Sequence, residues 1–532
     1  MAPGRGMMQF GGDVAVDDGS VEMVTTHLNA EGRQGQLSAD LDILWLLFGA
    51  YLVFFMQCGF ALLEAGSVRA KNTKNILLKN ILDTALGSLV WWAWGYPFAY
   101  GENGKYPNEF IGGTNFFMSN SDDVSPREDE VDFNNANKYF ALWLFSWAFA
   151  TTATTIVSGA VAERCQFRAY VIYTIVLTGL VYPVVVHWAW SAEGWLSPFR
   201  VDENGEPDVF LSHTVGFIDF AGSGVVHMTG GGAALMAATV LEARYGRFSA
   251  EGKPIGLPGQ SVALATLGVF ILWFGWYGFN PVSTAAFYNS MYVASKCAVT
   301  TTLAASAGCA TVLTMHIFLE GAPDITPALN GILAGLVSIT AGCSVVEPYA
   351  SVVIGMIGGV VYKASSASLL KLRIDDPLDA SPVHFFCGMW GVFAVGLFAT
   401  PANLHNSYGV DRLKSRSEAG VLYGGDGRQL GAQTLGILAI GVWSISISLI
   451  MFLVLRYFGI LRVPQDEEIT GLDVSQHSGG PRFQVEDDKD GVKMVLGNNQ
   501  RMTASHGSTT LSGATVSTGD VRDRGTRMGG GY

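Results

Sequence analysis

Charge is scarce in this chain. Asp, Glu, Lys and Arg make up 14% of its 532 residues, against roughly 25% in soluble domains. Paired cysteine spacing is absent too. Cys58, Cys165, Cys297, Cys309, Cys343 and Cys387 fall in or beside apolar segments, as small buried side chains do. No disulfide framework, metal site or cofactor is expected. No basic patch supports nucleic-acid binding, and the net charge is −13. Residues 1–38 hold no apolar run long enough for a signal-peptide core, so no cleavage is expected there.

Apolar length is present in abundance. The chain is 49% hydrophobic, with 65 glycines and a mean hydropathy of +0.31. Continuous apolar runs of about 18 residues or more indicate membrane helices, and the runs lack the alternation of a membrane β-barrel. Eleven spans are expected, near 41–66, 76–100, 139–162, 168–190, 215–242, 261–280, 293–318, 328–345, 349–370, 383–401 and 430–458. The eighth is short and Gly-rich.

Basic residues set the orientation. Arg69, Lys71, Lys74, Lys79, Arg164, Arg168, Arg244, Arg247, Lys253, Lys371, Arg373, Arg456 and Arg462 all follow odd-numbered spans. That side is expected to be cytoplasmic, which puts the N-terminus outside and the C-terminus inside. The acidic loops 101–137 and 191–214 fall opposite; the 411–428 loop, with Arg412, Lys414, Arg416 and Arg428, fits less well.

Two histidines interrupt apolar spans, each eight residues after an aspartate: Asp219 precedes His227, and Asp376 precedes His384. On a helix that spacing places each pair on one face, about 12 Å apart. A single buried histidine is often only a helix-to-helix hydrogen-bonding group. Two in matched settings, in spans five and ten, point to a shared site between inverted halves. Gly59-Phe60 and Gly278-Phe279 mark spans one and six in the same way. The fold expected is therefore an all-α polytopic membrane protein with eleven transmembrane helices, an inverted five-plus-five repeat plus one extra helix. Facing imidazoles can pass a proton or hold a small polar molecule. Asp219 fits both a helix cap and a negative group that favours a cation at a mouth. Phe145, Phe149, Trp190 and Phe279 fit a cation-π vestibule and gate as well as ordinary packing. Pro281, between Asn280 and Ser283, should break its helix and free carbonyls.

Several stretches together carry a family signature: Phe60-Ala61-Leu62-Leu63-Glu64-Ala65-Gly66, Trp147-Ala148-Phe149-Ala150, Gly159 to Glu163-Arg164, Tyr182-Pro183-Val184-Val185 with His187-Trp188-Ala189-Trp190, Asp219 to His227, Gly275 to Asn280, and Asp375-Asp376-Pro377 to His384. Over about residues 40–475 the chain strongly resembles the ammonium transporter (Amt/Mep/Rh) family, in particular its plant-type branch. The resemblance implies a homotrimer with one pore per subunit; the plasma membrane is the expected location, with an intracellular membrane as the alternative. It implies ammonium recruitment by Phe145, Trp190, Ser283 and Asp219, a gate of Phe149 over Phe279, and a twin-histidine pore of His227 and His384. It also implies a regulatory segment at Gly471–His477, with Ser475 where relatives carry a phosphorylated threonine. The following Gln476 and the bulky pair Phe385-Phe386 depart from the family pattern.

The resulting division is an extracellular segment 1–38, a transmembrane domain 39–460, a cytoplasmic regulatory segment 461–490 and a disordered tail 491–532. Partners expected are ammonium or ammonia, lipid, further copies of the chain and a kinase at the C-terminal segment. The chain is not expected to be an enzyme. An ammonium sensor is the first alternative. An intramembrane hydrolase is the second, with Ser223 as its only obvious nucleophile.

Overall fold

The computed structural model describes residues 18–102, 107–119, 138–202, 207–209, 215–410, 416–477, 482–488 and 491–497. Among them eleven long helical segments follow one another. They are α1 (Asp18–Ser67), α2 (Thr73–Val90, running on through Trp91–Gly95 into Tyr96–Tyr100), α3 (Tyr139–Val161) and α4 (Phe167–Val176, through Leu177–Val181 into Tyr182–Trp190). Next come α5 (Ser223–Met228 into Thr229–Leu241), α6 (Val262–Phe279), α7 (Met291–Glu320), α8 (Ile325–Thr340) and α9 (Pro348–Lys371). The last are α10 (Pro382–Phe386 into Cys387–Phe398) and α11 (Arg428–Tyr457). Eight are long and apolar enough to cross a membrane; α10 joins them if counted with the short helix Pro401–Tyr408, from which it bends by 112°. The other two are α8, apolar but only 16 residues long, and α2, which carries Lys79 and Asp83 near its middle.

The α-helical hydrogen-bond ladder widens to a π-turn in α2, α4, α5 and α10. In α2 and α4 the cause is visible in the chain. Pro97 and Pro183 come just after the turn and cannot donate a backbone hydrogen bond, so the ladder shifts register there.

The first helices of the two halves, α1 and α6, touch backbone to backbone. A Cβ added at Gly59 would stand 3.0 Å from the Gly268 carbonyl, and one at Gly268 only 2.6 Å from the Gly59 carbonyl. Small residues allow this approach, and dispersion across it replaces the hydrophobic drive that lipid cannot supply. Apolar side chains also cover the outside. Phe48, Phe54 and Phe55 on α1, Phe270 and Phe274 on α6, and Leu438, Val442 and Ile450 on α11 are all exposed, as suits a surface facing lipid or other apolar partners.

The structure adds strands that the sequence reading did not expect. Arg482–Asp488 (β1) and Gly491–Gly497 (β2) pair antiparallel, with Arg482 opposite Gly497 and Asp488 opposite Gly491. They belong to a second compact unit beginning at Pro481. The start of the span read as disordered tail is therefore a strand. Its run Val492-Lys493-Met494-Val495-Leu496 has strand propensity, which the polar composition of the surrounding tail concealed.

Candidate functional site

Asp219 and Asp376 do not share helix faces with their histidines. Gly222, at φ +105°, turns the chain ahead of α5, so Asp219 lies before the helix and caps it. Its carboxylate accepts from the backbone N–H groups of Gly222 (3.1 Å), Gly224 (2.9 Å) and Val225 (2.7 Å). Asp376 does the same ahead of α10, accepting from the N–H groups of Ala380 and Ser381 and from Ser381 Oγ. An N-cap uses its carboxylate to satisfy donors that the first turn leaves free. The eight-residue spacing measures cap to π-turn, and each π-turn carries the histidine inward.

The two histidines meet. His227 Nδ1 lies 3.1 Å from His384 Nδ1, with ring centroids 5.2 Å apart and planes 23° from parallel. One ring must donate and the other accept, so the pair is locked into complementary tautomers. His227 also stacks on Trp276 at 5.2 Å and on Phe279 at 5.6 Å, while Trp276 Nε1 is held by Thr340 Oγ1. His227 Nε2 is buried and has no partner among the described residues.

Phe279 stacks in turn on Phe149, centroids 3.9 Å apart and planes at 20°. Beyond Phe149 opens a chamber of about 290 Å³. Phe145, Phe149, Trp190, Asp219 and Ser283 all line it. Trp190 Nε1 donates to the Asp219 carbonyl at 2.8 Å, and Ser283 Oγ to the Phe279 carbonyl at 2.7 Å. Pro281 ends α6 at Phe279, as expected, and Pro281–Thr284 follows as a 3-10 turn. Tyr96, Tyr100 and Tyr408 also line the chamber. Sequence reasoning missed them. Tyr96 and Tyr100 flank Pro97 at helical spacing, a signal that was available; Tyr408 arrives only through the bend after α10.

The opposite face holds ionised groups that pair with one another. Arg244 bridges Asp375 (2.8 Å) and Glu163 (3.1 Å), Arg247 reaches Asp375 (3.1 Å), and Arg69 pairs with Glu163 (2.6 Å). Burial alone would raise both carboxyls. The hydrogen bonds and charges of Arg69 and Arg244 outweigh it and hold Glu163 below its ordinary range. Arg244 and Arg164 hold Asp375 further down still.

On this face the segment Gly471–His477 docks. Leu472 is buried, and its N–H donates to Asn72 Oδ1. Asp473 accepts from the N–H groups of Lys74 (3.0 Å) and Asn75 (2.8 Å), capping α2 from the far end of the chain. Glu468 accepts from Tyr245 N–H and pairs with Arg462. Ser475 Oγ donates to the Gly471 carbonyl.

Two sequence concerns are answered by contacts. Ser223 Oγ donates to the Val337 carbonyl and accepts from Ala341 N–H, both at 2.7 Å, so it is committed to backbone and makes no nucleophile. Phe385 packs over Gly231 and Gly232 of α5, where missing side chains make room for it.

The many apolar helices, two of them broken at facing histidines, define a multi-pass membrane protein of the transporter class. Residues 44–481 match the model of the Ammonium Transporter Family. The chain is 40% identical over 462 residues to ammonium transporter 1 member 3 of Solanum lycopersicum, covering 84% of this chain and 94% of that protein. It is 43% identical over 437 residues to ammonium transporter 1 member 1 of Arabidopsis thaliana, covering 80% and 82%. A solved structure named "Sensor Amt Protein" superposes with a TM-score of 0.71 at 31% identity, covering 83% of this chain and 99% of that one. The chain belongs to the ammonium transporter family.

Proposed function

We propose that the chain takes ammonium from solution into the aromatic chamber, deprotonates it at the Phe149–Phe279 stack and conducts it as ammonia past His227 and His384. The observation that carries this reading is an unbroken line: chamber, stacked phenyl rings, His227, His384. A bare cation entering a low-dielectric core costs tens of kcal/mol by simple Born reasoning. The π faces of Phe145 and Trp190, the Ser283 hydroxyl and the field of Asp219 offset part of the lost hydration in the chamber. The stacked rings leave no polar partner for the ion, so the neutral molecule passes at lower cost. Beyond them the imidazoles offer hydrogen bonds.

The test is uptake of labelled methylammonium in cells lacking their own ammonium transport. His227→Ala and His384→Ala should each lower uptake at least tenfold while the protein still reaches the membrane. Near-normal uptake in both would end the twin-histidine reading.

The same proposal places the chain as a homotrimer in the plasma membrane, with the chamber outside and the docked C-terminal segment in the cytoplasm. The paired arginines on the docked face support that orientation. Regulation follows from Ser475. A phosphate brings about −1.5 to −2 charge two residues from Asp473, whose carboxylate caps α2. Repulsion would pull Asp473 off that cap. Ser475→Asp should therefore inactivate, and mixed with wild type should cost more activity than its own fraction. Full activity of the variant would remove the switch; proportional loss would remove only its spread between subunits. A sensing role is the second reading, favoured by the name of the solved neighbour. Signalling that survives in a transport-dead His227→Ala cell would support it.

A further inference from the structure

Below the histidine pair lies a second, much smaller cavity of about 20 Å³, room for a single water. Its walls are mostly apolar: Phe60, Ile156, Gly159 and Leu378 contribute. Two titratable side chains also line it, His384 and Glu64. Glu64 stands three residues before the end of α1 at Ser67, about one helical turn from the docked face, and it is 2% exposed. A buried carboxyl in a membrane helix calls for a function, and the pore described above does not use this one.

We propose that Glu64 is a proton-relay residue: it receives, through one water in this cavity, the proton that ammonium gives up at the gate and that the histidines hand on. The proposal rests on the transport reading above and adds the path of the proton. The balance is simple. Ammonium becomes ammonia and a proton. The proton arrives at the unpartnered Nε2 of His227; the Nδ1 proton of that ring moves to Nδ1 of His384, 3.1 Å away; His384 releases a proton from its other nitrogen. Water carries it to the Glu64 carboxylate, which becomes a neutral acid and later returns the proton to the solution on the docked face. Each imidazole ends neutral with its hydrogen on the opposite nitrogen, and reset requires the rings to exchange tautomers before the next proton.

The surroundings of Glu64 suit both of its protonation states. Asn80 Nδ2 donates to its Oε2 at 2.7 Å. Ser158 Oγ is bonded to its Oε1 and also lies 2.6 Å from the Thr155 carbonyl. A hydroxyl has one hydrogen. When Ser158 turns it toward Glu64, the carboxylate is stabilised as the anion. When Ser158 turns it toward Thr155, the bond between Ser158 and Glu64 closes with a hydrogen supplied by Glu64, which is then the neutral acid. A rotating hydroxyl thus accommodates arrival and departure without any heavy atom moving. The neighbouring acid on α2 stands apart from the cavity. Asp83 accepts from Tyr170 Oη and Thr174 Oγ1 and does not line the cavity. Lys79 Nζ is committed to the Cys165 carbonyl at 3.2 Å.

The experiment uses the full chain in liposomes and reads two quantities together: charge moved, as current after an ammonium or methylammonium pulse, and labelled methylammonium taken up. Their ratio is the result. Glu64→Gln should lower charge per substrate at least fivefold. Gly159→Ala should do the same with every titratable group in place. Its new methyl would sit 3.2 Å from Leu378 Cβ and 3.7 Å from Ala380 Cβ, displacing the water. A variant that merely loosens the fold lowers current and uptake together and leaves the ratio unchanged. An unchanged ratio in either folded variant overturns the relay, and if Glu64→Gln fails to fold, Gly159→Ala decides. Wild-type uptake without charge overturns the relay while leaving the transport reading intact. No wild-type uptake overturns both.

Discussion

Asp219 and Asp376 occupy matching places in the two halves, and each carboxylate accepts from the first turn of the helix after it, yet their surroundings differ. Asp219 looks into a chamber of about 290 Å³, and among the described residues no cationic side chain pairs with it. Asp376 follows Asp375, which is gripped by Arg244 and Arg247, and Arg164 donates to the Asp375 carbonyl at 2.7 Å. One end of the molecule leaves a carboxylate uncompensated beside aromatic faces. The other end pairs Glu163 and Asp375 with arginines and leaves a void the size of one water. An inverted repeat therefore need not make a symmetric path. The same local device faces an open chamber at one end and a charged, closely packed network at the other.

The largest effect expected from disturbing this contrast is at Arg244. Arg244→Ala strips Asp375 and Glu163 of a shared partner and leaves buried charge uncompensated, which costs about 3–5 kcal/mol. A thermal melt of the solubilised protein should show it, and a loss under about 1 kcal/mol would mean that water reaches these carboxylates. The network also sets an acid limit. The folded Asp375 carboxyl lies below its ordinary 3.8, so its contribution is full above about pH 5. That contribution fades as pH falls from 3.8 toward the lower folded value. Melting temperature followed downward through that window should decline in wild type and decline less in Asp375→Asn.

Next in size is a matched pair of substitutions. Asp219→Asn keeps an acceptor for the cap but removes the uncompensated charge, and apparent affinity for ammonium should weaken about tenfold, or 1.4 kcal/mol. Asp376→Asn should register mainly in melting temperature. Equal losses of affinity from the two would erase the distinction between mouth and exit.

Smallest is Trp190→Leu. A cation-π contact is worth about 0.5–2 kcal/mol, so apparent affinity should fall between about twofold and thirtyfold, with selectivity against other small solutes weakened. Unchanged affinity would assign Trp190 to packing and to its bond with the Asp219 carbonyl.

Helix number was legible because apolar length and bilayer thickness are tied together, and even the short α8 was found. The positions of Phe145, Phe149, Trp190, Asp219, Phe279 and Ser283 around one line were expected from the resemblance, and the described geometry brings them together. The π-turns were not legible. A one-residue change of register leaves no periodic trace in a segment that is apolar all round. For the same reason the Asp–His spacing was read as a helix face, when the φ of Gly222 starts the helix after Asp219. Helix α1 begins at Asp18, well before the apolar run near 41, because polar residues continue a helix without announcing it in hydropathy. The Glu64 cavity was out of reach as well, since its walls come from α1, α3, α8, α10 and the loop before α10.

The glycine contact between α1 and α6 limits how this protein can move. With Gly59 and Gly268 in mutual backbone contact, tilting one half against the other would either drive carbonyls into Cα atoms or pull this seam apart. Rocking of halves is a usual way for repeat-built carriers to expose a site to each side in turn. Here the seam resists such rocking, and along the proposed path the parts free to turn are small: two phenyl rings, two imidazoles and a hydroxyl. Under the proposed conduction, ring swings would pace traffic through such a frame, and they run on far shorter timescales than domain motions.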